Sequence, residues 1–361
     1  MTAVFVLVGF ALGSGGLGVL HLDPTSDLVA VLAVTALVVL LFRDGLEVDG
    51  ELLRTASGPP LRKLALGMPI TAGIVAVITH AVTDLGWTES FLVGALLSPT
   101  DPVLSSSVVT NPRVPARIRH SLNLESGLND GLALPPVLAL SAALEIGGDH
   151  FTVWSFVLRD VGLGFLVGGA VALLASRVVP ARGAALSCLL VAGATYGLAV
   201  LAGGNGFIAA FVAAIVLGIR RPELLAAFER REELIVDAVK LGIFFVFGAL
   251  LTLDGLFADG WAAVAIVAGT LLVARPVAVW VALAGTRLGA DVKAFMAWFG
   301  PKGVATMTFS LLVLGKHIPG NERIFNIAAL AVFASIVLHG LTDRAGSEWM
   351  ARRAAPPAPG R

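Results

Sequence analysis

Apolar residues run in long blocks along this chain, and its polar residues gather where the blocks end. About 20 apolar residues are needed to cross a bilayer as a helix. On that measure about twelve blocks qualify, near residues 2–20, 26–45, 61–83, 88–109, 122–146, 151–176, 183–202, 205–219, 233–252, 260–284, 292–315 and 324–343; the eighth is the shortest. The pattern predicts an all-α polytopic membrane protein. It places one membrane domain over residues 1–345 and a short disordered tail over 346–361, where Pro and Ala accumulate.

Composition agrees. The chain is 57% hydrophobic and 14% charged, against about 25% charged in soluble domains. Its formal net charge is zero, which gives no case for nucleic-acid binding. The single cysteine, Cys188, excludes an internal disulfide and a cysteine-rich metal site; its expected role is packing. No basic stretch followed by a small-residue cleavage site marks a signal peptide. No soluble domain of useful size follows the last apolar block.

Charge placement sets the orientation. If the N-terminus is cytoplasmic, alternate loops should collect Lys and Arg. Arg43, Arg54, Arg62 and Lys63 follow the second block, Arg113, Arg117 and Arg119 the fourth, and Arg177 and Arg182 the sixth. Arg220, Arg221, Arg230 and Arg231 follow the eighth, Arg287 and Lys293 the tenth, and Arg344, Arg352, Arg353 and Arg361 the last. The opposite loops hold Lys316 and Arg323, so the count is nineteen against two. Both termini are expected in the cytoplasm. Arg159, Lys240, Arg275 and Lys302 remain inside apolar blocks, where each needs a partner or a task.

Two blocks must break. The fourth contains Ser98-Pro99-Thr100-Asp101-Pro102, and two prolines three apart remove two backbone donors. The eleventh contains Gly300-Pro301-Lys302-Gly303. Freed backbone groups are tolerated at membrane depth only where they line a cavity or are buried in protein. The breaks carry opposite charges. If the two segments cross, Asp101 offsets positive half-helix N-termini and Lys302 offsets negative C-termini. Blocks 3–5 enter from the side opposite to blocks 10–12, so the two units form inverted repeats with a broken middle helix each. That arrangement points to a secondary transporter, with the binding site at the breaks.

One stretch concentrates polar chemistry at the start of the fifth block: Leu122-Asn123-Leu124-Glu125-Ser126-Gly127-Leu128-Asn129-Asp130. A charge at membrane depth costs from about 2.5 to more than 10 kcal/mol. On a helix, Ser126 and Asp130 share one face, and Glu125 and Asn129 the neighbouring one. Glu125 is expected to pair with Arg275, because a buried unpaired carboxylate is costly. Arg275 and Lys302 read as structural counter-charges. Asp130 is left as the functional carboxylate, and Asp101 as more than a cap. Asp44, Glu47 and Asp49 end the second block, where a solvated helix end is expected. His80, His120, His317 and His339 fall near block ends and are expected at the surface.

Thr100-Asp101-Pro102, Glu125-Ser126-x-x-Asn129-Asp130, Arg275-Pro276 and Gly300-Pro301-Lys302-Gly303 together resemble the sodium/proton antiporters of the NhaP and NHE type. The Leu41–Glu47 turn and the Gly206–Phe211 run are similar to that family too, so the likeness covers nearly the whole chain. It implies the NhaA/NhaP-like antiporter fold. Core helices would lie at about 60–146 and 258–344, and a dimer-forming panel at about 1–46 and 183–252. By that resemblance Asp130 binds cation and proton, with Ser126, Asp101 and the Thr100 carbonyl around the ion. Asn129 stands where electrogenic relatives carry a second aspartate, and Glu125 with Arg275 matches a buried ion pair. Members of this family usually have one more N-terminal helix, and the resemblance aligns the start of this chain with their second. Lys302 replaces an arginine common among relatives, and no regulatory C-terminal domain is recognised.

Function follows as an expectation. Na⁺ is a hard cation suited to carboxylate, hydroxyl and carbonyl oxygens. Exchange of Na⁺, Li⁺ or K⁺ for H⁺ would arise from competition at Asp130, and with Asn129 uncharged the exchange would be electroneutral. The expected partners are a monovalent cation, the proton, the lipid bilayer and a second copy in a homodimer; no cofactor is expected. An intramembrane enzyme would need a nucleophile with its base or a metal cage, and neither spacing is present. A K⁺/H⁺ antiporter, or a channel or organic-anion symporter on the same inverted fold, stays open.

Overall fold

The computed structural model describes residues 2–48, 58–101, 111–112, 114–145, 151–180 and 184–354. Among them every regular element is a helix. In chain order these are α1 (Thr2–Leu12), α2 (Asp27–Leu46), α3 (Pro59–Val82), α4 (Trp87–Leu96) and α5 (Ala116–Leu144). Then come α6 (Val153–Val178), α7 (Ala184–Leu201), α8 (Gly206–Arg220), α9 (Glu223–Leu250) and α10 (Trp261–Ala282). The eleventh block is two helices, α11 (Ala290–Trp298) and α12 (Val304–Leu314), and α13 (Asn321–Ala354) closes the chain.

Boundaries shift for physical reasons. The first block stops being helical at Leu12 because Gly13, Gly15, Gly16 and Gly18 follow, the last at φ +64°. The short eighth block is a full element. Asn205 caps it by accepting from Phe207 N (3.0 Å) and Ile208 N (3.1 Å). Its turn is tied by Arg159, whose Nε donates to Gly203 O at 3.1 Å. Arg159 is thus an exposed loop clamp, not a charge buried at membrane depth. α9 and α13 extend about ten residues beyond their apolar blocks into charged sequence. A helix leaving the bilayer has no reason to end where charges begin. On α13 this corrects the expected disordered tail: residues 346–354 are helical, with Ser347 and Met350 buried.

The helices pack as two groups. α1, α2, α6, α7, α8 and α9 contact one another, as do α3, α4, α5 and α10 to α13. α2, α8 and α9 bridge the groups by meeting α5 or α12. Glycine permits the closest approaches. A Cβ at Gly248 of α9 would overlap the Val6 carbonyl of α1, and one at Gly9 would overlap the backbone at Phe245.

The first helix of each inverted unit carries a π-helical segment: Lys63–Gly67 in α3 and Thr270–Ala274 in α10. Pro69 and Pro276 follow them after one intervening residue each. Neither proline can donate to the carbonyl four residues back, and its ring crowds that turn, so the preceding turn widens. The two wide turns leave Lys63 and Arg275 facing inward, and both are buried.

Substituting Gly248→Ala should destabilise the chain by about 1–3 kcal/mol through overpacking. Gly169→Ala, which meets nothing within 4 Å, should be close to neutral. Thermal denaturation in detergent compares them, and equal midpoints would refute the glycine contact.

Candidate functional site

The two breaks meet. After α4 the backbone runs without regular structure from Pro99 to Asp101, and after α11 from Phe299 to Gly303. Asp101 N donates to Pro301 O at 2.8 Å, which joins the unwound segments directly. Asp101 Oδ2 accepts from Val304 N at 3.3 Å, capping the N-terminus of α12 from the other unit. Lys302 Nζ donates to Ser98 O (3.4 Å) and Pro99 O (3.1 Å), the carbonyls just past α4. Thr306 Oγ1 adds a bond to Leu96 O at 3.0 Å. Each charge therefore sits at the helix end whose dipole it offsets, as the sequence predicted. The other half of the fourth block, residues 102–110, lies outside the described residues.

The glycines of Gly300-Pro301-Lys302-Gly303 serve clearance. A Cβ at Gly300 would overlap the Arg275 guanidinium, and one at Gly303 would overlap the Asp101 side chain. Neither glycine has a positive φ.

α5 presents its polar residues to two neighbours. Glu125 accepts from Arg275 Nη1 at 3.3 Å, the expected pair, and also from Lys63 Nζ at 2.5 Å. Arg275 Nη2 donates onward to Met296 O (3.2 Å) and Phe299 O (3.4 Å), closing the C-terminal end of α11. One turn along, Asn129 Nδ2 donates to Thr100 O (2.7 Å) and Thr100 Oγ1 (3.0 Å). Glu125 and Asn129 thus fix α5 to both inverted units.

Asp130 differs. Its Oδ1 is buried without a hydrogen-bond partner, and the neighbouring Asn129 Oδ1 is likewise unpartnered. Orphaned buried oxygens are rare because each costs about 1–3 kcal/mol. Asp44 and Asp101 are the acidic charges acting on Asp130, and Arg43 and Lys240 the basic ones. The α5 backbone on either side of Asp130 is bare: a Cβ at Gly127 would lie 3.3 Å from Asp44 O, and one at Gly131 would overlap the Phe211 ring of α8. Ser126 lies on the same helix as Asp130, but its side chain is outside the described residues.

The chain is similar over its whole length to known proteins. Residues 1–345 match the family described as sodium/hydrogen exchanger, transmembrane. The chain belongs to that family. It is 27% identical to the K(+)/H(+) antiporter NhaP2 of Shewanella oneidensis, over 99% of this chain and 63% of the relative. It is 27% identical to the Na(+)/H(+) antiporter NhaG of Bacillus atrophaeus, over 78% of this chain and 57% of the relative. The chain thus spans 63% of the length of the first of these curated relatives. The structure of the sodium proton antiporter MjNhaP1 from Methanocaldococcus jannaschii has the same fold, with a TM-score of 0.84, 18% identity, and coverage of 98% of this chain and 92% of that one.

The sequence misassigned Lys63. Counted as a cytoplasmic loop cation, it is 2% exposed and bonded to Glu125. The loop count falls to eighteen against two. The signal lay in Pro69, six residues on, which marks a helix already begun. Asp44 was placed at a solvated helix end; it is half-buried against α5, while Asp49 lies outside the described residues. His317 is exposed as expected, but His339 is buried.

Glu125→Gln would leave Lys63 and Arg275 together without their counter-charge. Stability should fall by about 3–5 kcal/mol, and Lys63→Met, which keeps one pair intact, should cost less. The double variant should lose less than the two singles summed. Strict additivity in detergent denaturation would show that the three groups do not act as one cluster.

Proposed function

We propose that this chain exchanges a monovalent cation for protons across the cytoplasmic membrane, with Asp130 as the shared site. The supporting observation is the pair of unpartnered buried oxygens, Asp130 Oδ1 and Asn129 Oδ1, beside the crossing that Asp101 and Lys302 hold together. A carboxylate whose buried oxygen has no donor is completed either by a proton or by a hard cation. Asp101, the Thr100 carbonyl and the Ser126 hydroxyl supply further oxygens. Asn129 orients Thr100 while adding no charge, and Glu125 is committed to Lys63 and Arg275.

Exchange then needs no separate coupling device. Asp130 carries one proton or one cation, never both, and the two loaded forms have the same charge. One H⁺ per cation makes the cycle electroneutral. Eighteen of the loop and tail cations lie on the side taken as cytoplasmic, which supports both termini there. The chain works in the cell membrane as one transporter domain, in which the α3–α5 and α10–α13 group moves against the remaining helices. Those remaining helices form the homodimer contact.

K⁺ in place of Na⁺ is the second reading, favoured by the similarity to a relative named as a K⁺/H⁺ antiporter. The same oxygens serve either ion, and size alone separates them.

The test uses the full chain in proteoliposomes with a pH-sensitive dye, adding Na⁺, Li⁺ and K⁺ in turn. Asp130→Asn should abolish exchange. Asp101→Asn, which loses a charge at the crossing, should weaken it by at least about tenfold, equivalent to the 1.4 kcal/mol expected of a charge-assisted contact. Turnover should be insensitive to an imposed membrane potential. A response only to K⁺ selects the second reading, and wild-type activity in Asp130→Asn would overturn the site.

A further inference from the structure

His339 lies on α13 and is 3% exposed, facing the break between α11 and α12. Its Nε2 is 2.9 Å from Trp298 O, the last carbonyl of α11. Its Nδ1 is 3.1 Å from Ser335 Oγ and 2.8 Å from Ser335 O. Ser335 Oγ in turn accepts from Lys302 N at 2.8 Å. One turn of α13 therefore holds the unwound segment at two points, its entry at Trp298 and, within it, Lys302.

The Lys302 amide has left one helix and not yet joined the next. Buried without a partner, it would cost about as much as any orphaned donor; Ser335 supplies that partner. Both ring nitrogens face a carbonyl, and a neutral imidazole donates to only one: with the proton on Nε2 it bonds Trp298 O and leaves Nδ1 to accept the Ser335 hydroxyl, and with the proton on Nδ1 it bonds Ser335 O. The Lys302 ammonium separately donates to Ser98 O and Pro99 O, three and two residues before Asp101.

We propose that His339 and Ser335 are positioning residues for cation binding, setting where Lys302 and Asp101 stand without touching the ion. The proposal rests on the exchange reading given above. A purely structural role is the competing explanation, and α13 offers an internal control for it. Trp298 Nε1 donates to Thr342 Oγ1 at 2.9 Å, joining the same two helices through the Trp298 side chain and not through the unwound backbone.

The experiment compares wild type, His339→Ala, His339→Gln, Ser335→Ala and Thr342→Val in proteoliposomes, reading half-saturating cation concentration and, separately, thermal midpoint. His339→Ala and Ser335→Ala should each raise half-saturation about 5-fold or more, an effect of one or two hydrogen bonds, and their combination should add little. His339→Gln keeps a donor for Trp298 O and should recover most of the affinity. Thr342→Val should lower the midpoint and leave half-saturation unchanged. If His339→Ala behaves like Thr342→Val, or His339→Gln is as impaired as His339→Ala, the positioning role is overturned. Hydrogen–deuterium exchange over residues 299–303 separates this idea from the transport reading. Faster exchange in His339→Ala supports the clasp even if the wild type moves no cation, and unchanged exchange refutes it.

Discussion

The hydrogen bond from Asp101 to Pro301 is the constraint on which the rest of this structure turns. It joins two pieces of backbone that have each given up their helical partners, in a setting where water cannot supply replacements. Every other contact at the crossing completes that exchange. Val304 finds its acceptor in Asp101, the carbonyls after α4 find Lys302, and those ending α11 find Arg275. Opposite charges at the two breaks are therefore a requirement of the crossing before they are anything to do with an ion. Removing either would leave a helix end with an unbalanced dipole as well as an unpaired charge.

The same accounting explains why α5 carries two acidic residues with different fates. Glu125 is fully engaged, by a cation from each inverted unit, and behaves as a structural centre. Asp130 is one turn away and kept out of that cluster by the geometry of a helix. Two proline-widened turns make this possible, because they swing Lys63 and Arg275 onto Glu125 from opposite sides.

Much of this was legible from residue order. The apolar blocks, the paired prolines, the opposite charges of Asp101 and Lys302, and the Glu125–Arg275 pair follow from the expense of polar groups in a bilayer. Lys63 was not legible, because a hydropathy reading assigns a cation at a block edge to the loop, whereas a buried counter-charge can reverse that cost. His339 was missed for a related reason. Its block was taken to end near 343, but α13 runs to Ala354, so the residue lies well inside a helix. Where a helix stops being apolar and where it stops being helical are separate questions.

Gly127 and Gly131 flank Asp130 at the boundary between the two helix groups. Helices usually interlock there, with the side-chain ridges of one seated in the grooves of the other, and such a contact resists sliding because ridges must climb out before they can move. At this boundary the bare backbone of Gly131 seats a flat aromatic ring from α8, and Gly127 lets α5 pass close to the Asp44 backbone. Any bulkier residue at 131 would therefore push the ring, and α8 with it, away from the turn that carries Asp130.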